Sequence, residues 1–134
     1  DVAPSRGLGD VYKRQAYMGK ASGADGFNEA NAALNIAKGS YQQAASAANG
    51  VKSNTAALAQ ILNKDYAAAK STLNAVANKD AYTSYLLAIV AARTNDAAGV
   101  NTNLKDAVSK DSSLKSRAAK DLEFAEYKSA VESL

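Results

Sequence analysis

The chain has 134 residues, enough for one modest domain with a core of its own. It contains no histidine and no cysteine, which excludes Ser-His and Cys-His catalysis and any metal site built on imidazole or thiolate. The net charge of +3 is small and scattered, so nothing points to a nucleic-acid partner. About thirty residues are alanine, a composition that favours helix. The longest apolar run, Tyr85 to Ala92, falls well short of the roughly 20 residues of a membrane-spanning helix, so no membrane insertion is expected.

In chain order, the segment from Ser5 to Gln15 comes first. Its eleven residues, SRGLGDVYKRQ, resemble the translation of a transposase sequencing adapter at every position. Residues 1–15 are therefore expected to be an adapter-derived, disordered artefact on a fragment of a longer protein. Arg6, Lys13 and Arg14 belong to that segment, so a basic-arm reading lapses with it. A phosphate-loop reading of Gly7, Gly9 and Gly19-Lys20 fails too, because Ala21 stands where Ser or Thr would follow the lysine. Residues 16–26 carry three glycines and read as a loop or the remnant of a preceding repeat.

From Phe27 onward, apolar residues recur at helical spacing between short breaks. The spacing predicts helices over 27–38, 40–48, 53–63, 65–77, 80–94, 96–109 and 112–132. Tyr66, Ala69, Leu73 and Val76 form one stripe; Val100, Leu104, Ala107 and Val108 form another. The last segment places Leu114, Ala118, Leu122, Ala125 and Val131 on one face and serves as a polar cap. The expected core rests on Leu58, Ile61, Leu62, Leu73, Leu86, Leu87, Ile89 and Leu104.

Three breaks align: Lys38-Gly39-Ser40-Tyr41, Asn63-Lys64-Asp65-Tyr66 and Thr94-Asn95-Asp96-Ala97. Ser40 with Gln43 has the spacing of a capping box, and Asp65 and Asp96 are expected N-caps. Lys-Asp pairs at 64–65, 79–80 and 110–111 suit the end of one helix and the start of the next.

These junctions resemble the inner turns of tetratricopeptide repeats. Gly39-Ser40-Tyr41 with Ala44, and Asp65-Tyr66 with Ala69, carry the aromatic residue followed three positions later by a small one; Ala97 with Val100 lacks the aromatic. The steps of 25 residues from Tyr41 to Tyr66 and 31 from Tyr66 to Ala97 are shorter than the family period of about 34. The resemblance implies an all-α fold of antiparallel hairpins at about 27–48, 53–77 and 80–109, stacked as a short solenoid and closed by a C-terminal capping helix at 112–132. The alanine-rich texture and Lys120-Asp-Leu-Glu-Phe124 are similar to bacterial cell-envelope members of the family.

Such a fold implies a non-enzymatic scaffold that binds a protein or peptide in a concave groove, without a cofactor. The groove residues expected from it are Asn54, Leu58 and Ile61 on one helix and Tyr82, Tyr85, Ile89 and Arg93 on another. Tyr offers wide contact at low entropic cost, and Arg93 suits a carboxylate. The alternative is a structural or oligomerisation module of an envelope assembly. Catalysis finds little support: Asp121 and Glu123, two residues apart, diverge on a helix, and the other acids sit at breaks where capping explains them.

Overall fold

Helix α1 spans Gly23–Ala37 and opens the part of the chain that the computed structural model describes, residues 23–134. The expectations for 1–15 and for 16–22 lie outside the described residues. Expected as loop, Gly23 and Gly26 instead form the first turn of α1, where backbone amides have no intrahelical acceptor in any case. The other helices are α2 (Tyr41–Ala47), α3 (Asn54–Leu62), α4 (Tyr66–Ala75), α5 (Ala81–Arg93), α6 (Ala97–Lys110), α7 (Leu114–Lys120) and α8 (Lys128–Glu132). A single 3-10 turn, Leu122–Phe124, separates the last two. The described residues are all-helical, with no strand. The chain divides between Ala77 and Asn78 into two units.

In the first unit α1 packs against α2 and α3, α2 against α3, and α3 against α4. Ala32, Ala33 and Ile36 of α1, Ala44 of α2, Leu58 and Ile61 of α3, and Ala69 and Leu73 of α4 make its core. The Thr72 hydroxyl donates to Gln60 Oε1 at 2.7 Å and ties α4 to α3.

In the second unit α5 is the central element. Leu86, Ala88, Ile89 and Val90 are buried, and α6 meets it with Val100, Leu104 and Ala107. Of the eight expected core residues, seven are buried; Leu87 is half-buried. The small residues of the aligned junctions, Ala44, Ala69 and Val100, are all 0% exposed.

The three aligned junctions share one backbone device. Gly39, Lys64 and Asn95 have φ of 76°, 66° and 60°, in the left-handed region. Each donates its N–H three residues back, to Ile36, Ile61 and Ala92, and the next residue donates five back, to Asn35, Gln60 and Ala91, at 2.8 Å in each case for the second bond. This double closure satisfies the orphan carbonyls of the ending helix. It also closes the reciprocal half of a capping box. The Ser40 N–H is spent on Asn35, so the expected Ser40–Gln43 box is absent; the Ser40 side chain makes no cap either. Asp65 likewise makes none; it accepts from Asn63 Nδ2 at 2.9 Å. Asp96 does cap, accepting from the Gly99 N–H at 3.0 Å. A Cβ at Gly99 would meet the Asp96 carboxylate as it stands, so a larger residue there would require that side chain to shift. The reciprocal box forms instead at Asp80 and Thr83, where no such turn precedes and the Asp80 N–H is available to Thr83 Oγ1 at 3.1 Å.

The largest departure is the C-terminal cap. The expected single helix over 112–132 is broken at Asp121, whose backbone is extended (φ −82°, ψ 123°). Leu122, expected on the core face, is 68% exposed, and Phe124 is buried in its place. The cause is a set of contacts from α5, described below.

Leu73 is fully buried, so Leu73→Ala is expected to cost about 2–5 kcal/mol, read from the midpoint of chemical denaturation. Lys64 pays a left-handed penalty that glycine escapes. Lys64→Gly is expected to raise stability by roughly 1 kcal/mol in the same measurement.

Candidate functional site

Asp80 starts α5, and from there Tyr82, Tyr85, Ile89 and Arg93 follow at steps of three and four residues along the helix. Tyr85 and Arg93 converge on one short segment. The Tyr85 hydroxyl donates to Asp121 Oδ2 at 2.7 Å. Arg93 donates from Nε to Glu123 Oε1 at 2.8 Å and from Nη2 to Oε2 at 2.7 Å, a two-pronged pair. Phe124 sets its ring perpendicular to that of Tyr85, with centroids 5.5 Å apart. Arg117 of α7 places its guanidinium 5.6 Å from the centre of the Tyr85 ring. Beyond the turn, the Tyr127 hydroxyl donates to the Ala92 carbonyl at 3.3 Å.

The pair between Arg93 and Glu123 is largely withdrawn from water, with side chains 13% and 6% exposed. In that setting the two parallel bonds carry more energy and direction than a surface pair, and loss of either partner strands a charge. Asp121 also accepts from the Glu123 N–H at 3.0 Å, which holds the turn that lets both carboxylates face α5. Two acids that diverge on a helix converge here because the segment is not α-helical.

Leu58, Ile61 and Ile89, expected both in the core and along the groove, are 0% exposed, as is Tyr85; all four are core. Arg93, expected to be open to an outside carboxylate, already holds Glu123. Asn54 is half-buried at the start of α3, just after the Ser53 cap. Tyr82 keeps some surface as a residue, while its hydroxyl oxygen is sealed from solvent. Burial pushes its pKa well above the ordinary 10.0, against the opposing pull of Arg117 and with Tyr85, Asp80 and Asp121 adding to the rise.

Asp121, Glu123, Phe124, Arg117 and Tyr127 were not among the expected site residues. The available signal was the acidic-x-acidic-aromatic spacing of 121–124, which a helical reading disperses. Among the described residues no three acidic side chains gather as a metal-binding group. One further polar cluster joins α5 to α6: the Ser84 hydroxyl donates to Asp106, which also pairs with Lys110 at 3.0 Å. Those partners, Ser84 first, lower the Asp106 pKa, away from the range in which a carboxylate works as a general base near neutral pH.

No family model, no curated protein and no solved structure matches the chain. Among the described residues no helix is long and apolar enough to cross a membrane.

Because the folded state keeps Tyr82 neutral, its contribution to stability is complete below the ordinary tyrosine value of 10.0 and is lost as pH rises through the raised folded value. A tyrosinate titration followed in the ultraviolet is expected to contain a late component that coincides with alkaline unfolding and disappears in Tyr82→Phe.

Proposed function

We propose that the chain is a non-enzymatic helical scaffold of tetratricopeptide type that binds a helical segment of a partner protein. Two features support the repeat reading. The three hairpin turns share one hydrogen-bond pattern, and in the first unit α3 contacts both members of the preceding helix pair. That is the neighbour relation by which stacked hairpins bury a continuous core.

The observation that carries the binding role is on α1. Its inner face, Ala32, Ala33 and Ile36, is buried against the first unit. On the rest of the helix Phe27 is 70% exposed and Leu34 45% exposed. They are two helical turns apart, about 10 Å along one side. Ala30 lies exposed between them. Large apolar side chains left at this spacing match the anchors an amphipathic helix presents when it lies along another. The occupant we assign is therefore a partner's amphipathic helix. The alternative, a self-assembling structural module, would use the same face between copies.

Selection of displayed helical peptides against the chain tests this. Enriched peptides are expected to be amphipathic and to bind Phe27→Glu at least tenfold more weakly, while light scattering reports a monomer at high concentration. Equal binding to the variant would remove the α1 reading. A dimer that Phe27→Glu dissociates would favour the structural alternative.

A further inference from the structure

We infer that the face of α5 bearing Tyr85 and Arg93 is a binding site for a linear acidic–aromatic segment, and that Asp121–Phe124 occupies it as an internal ligand. This site lies in the second unit and stands independently of the α1 reading.

Recognition is by side chains, one by one. The first carboxylate of the segment meets a phenol hydroxyl, the second meets a guanidinium fork, and the aromatic ring meets the edge or face of Tyr85. Planar two-pronged capture and an aromatic anchor are the features by which a folded surface selects a short peptide. The segment itself is peptide-like. It is a single 3-10 turn, entered through the extended backbone of Asp121 and left before the non-helical Tyr127 (φ −122°, ψ 39°). Phe124 is buried, but Leu122, Ala125 and Glu126 face solvent. It lies along α5 as a strip, anchored through Asp121, Glu123, Phe124 and Tyr127.

The strip also has somewhere else to go. Residues 114–134 contain no glycine and no proline, and Leu114, Ala118, Leu122 and Ala125 keep helical spacing through the break. As one continuous helix, Asp121 and Glu123 would point about 200° apart and could not both reach α5. The broken form is thus supported by the α5 contacts together with the local turn that Asp121 makes with the Glu123 N–H. Release of the strip would restore helix and uncover Tyr85 and Arg93. A tether this short gives the internal ligand an effective concentration on the order of millimolar, so a segment from outside must outcompete it. The class of partner is a peptide with the order carboxylate, any residue, carboxylate, aromatic.

The probe is a labelled synthetic peptide with the sequence of residues 119–128, titrated by fluorescence anisotropy against the full chain and against the double variant Glu123→Gln with Phe124→Ala, which empties the site. The emptied variant is expected to bind at least tenfold more tightly than the unaltered chain, and Arg93→Gln in that background to abolish binding. A folded emptied variant that binds no better, or binding indifferent to Arg93→Gln, overturns the proposal. If the emptied variant does not fold, hydrogen exchange on the unaltered chain decides. Opening of the amides of 122–132 while those of α5 and α6 stay protected supports an internal ligand. Exchange of all of them together identifies the strip as ordinary core and overturns it. None of these readouts involves Phe27, so failure here and failure of the α1 reading are separable.

Discussion

Two backbone hydrogen bonds, repeated at three helix ends, set the architecture. At Gly39, Lys64 and Asn95 the chain enters the left-handed region and returns its next two amides to the helix it has just left. The reversal leaves one non-helical residue before the following helix starts, and the helices on either side of each turn pack against one another. Such a pair closes only if small side chains face each other near the turn. Ala44, Ala69 and Val100 meet that demand at the same step after each reversal, and all three are sealed from solvent. The turn geometry and the small-residue positions are two sides of one constraint.

An alanine-rich interior has a cost. Each alanine buries little apolar area, so cohesion concentrates on a few large residues and on polar contacts that would be secondary in a richer core. The second unit illustrates this. Its three-turn helix α5 is buried along most of its length, yet its link to the C-terminal strip is made by a phenol–carboxylate bond, a guanidinium–carboxylate pair and one aromatic edge. These are directional contacts, and they accompany the break in the helix at Asp121.

What the sequence made legible follows from the range of each cause. The three junctions were legible because a polar N-cap residue and, four positions later, a small residue recur at fixed local offsets. The stripe from Tyr66 to Val76 and that from Val100 to Ala107 were legible because α4 and α6 each bury one side only. The absence of the Ser40–Gln43 box was hidden because the Ser40 amide is claimed by Asn35 in the previous helix, which a forward-looking motif does not register. The full burial of Tyr85 was hidden because α5 is apolar nearly all round and periodicity cannot then say which side meets water. The break at Asp121 was hidden for a different reason. Tyr85 lies 36 residues before its partner Asp121, and Arg93 lies 30 before its partner Glu123, beyond any local pattern.

The two ion pairs of the second unit differ in how solvent reaches them. Lys110 and Asp106 are 40% and 47% exposed, within reach of dissolved counterions, whereas Arg93 and Glu123 are sheltered. Mobile ions weaken the first kind of pair and scarcely touch the second. The hold of α5 on the C-terminal strip is therefore less sensitive to ionic strength than the Lys110–Asp106 pair.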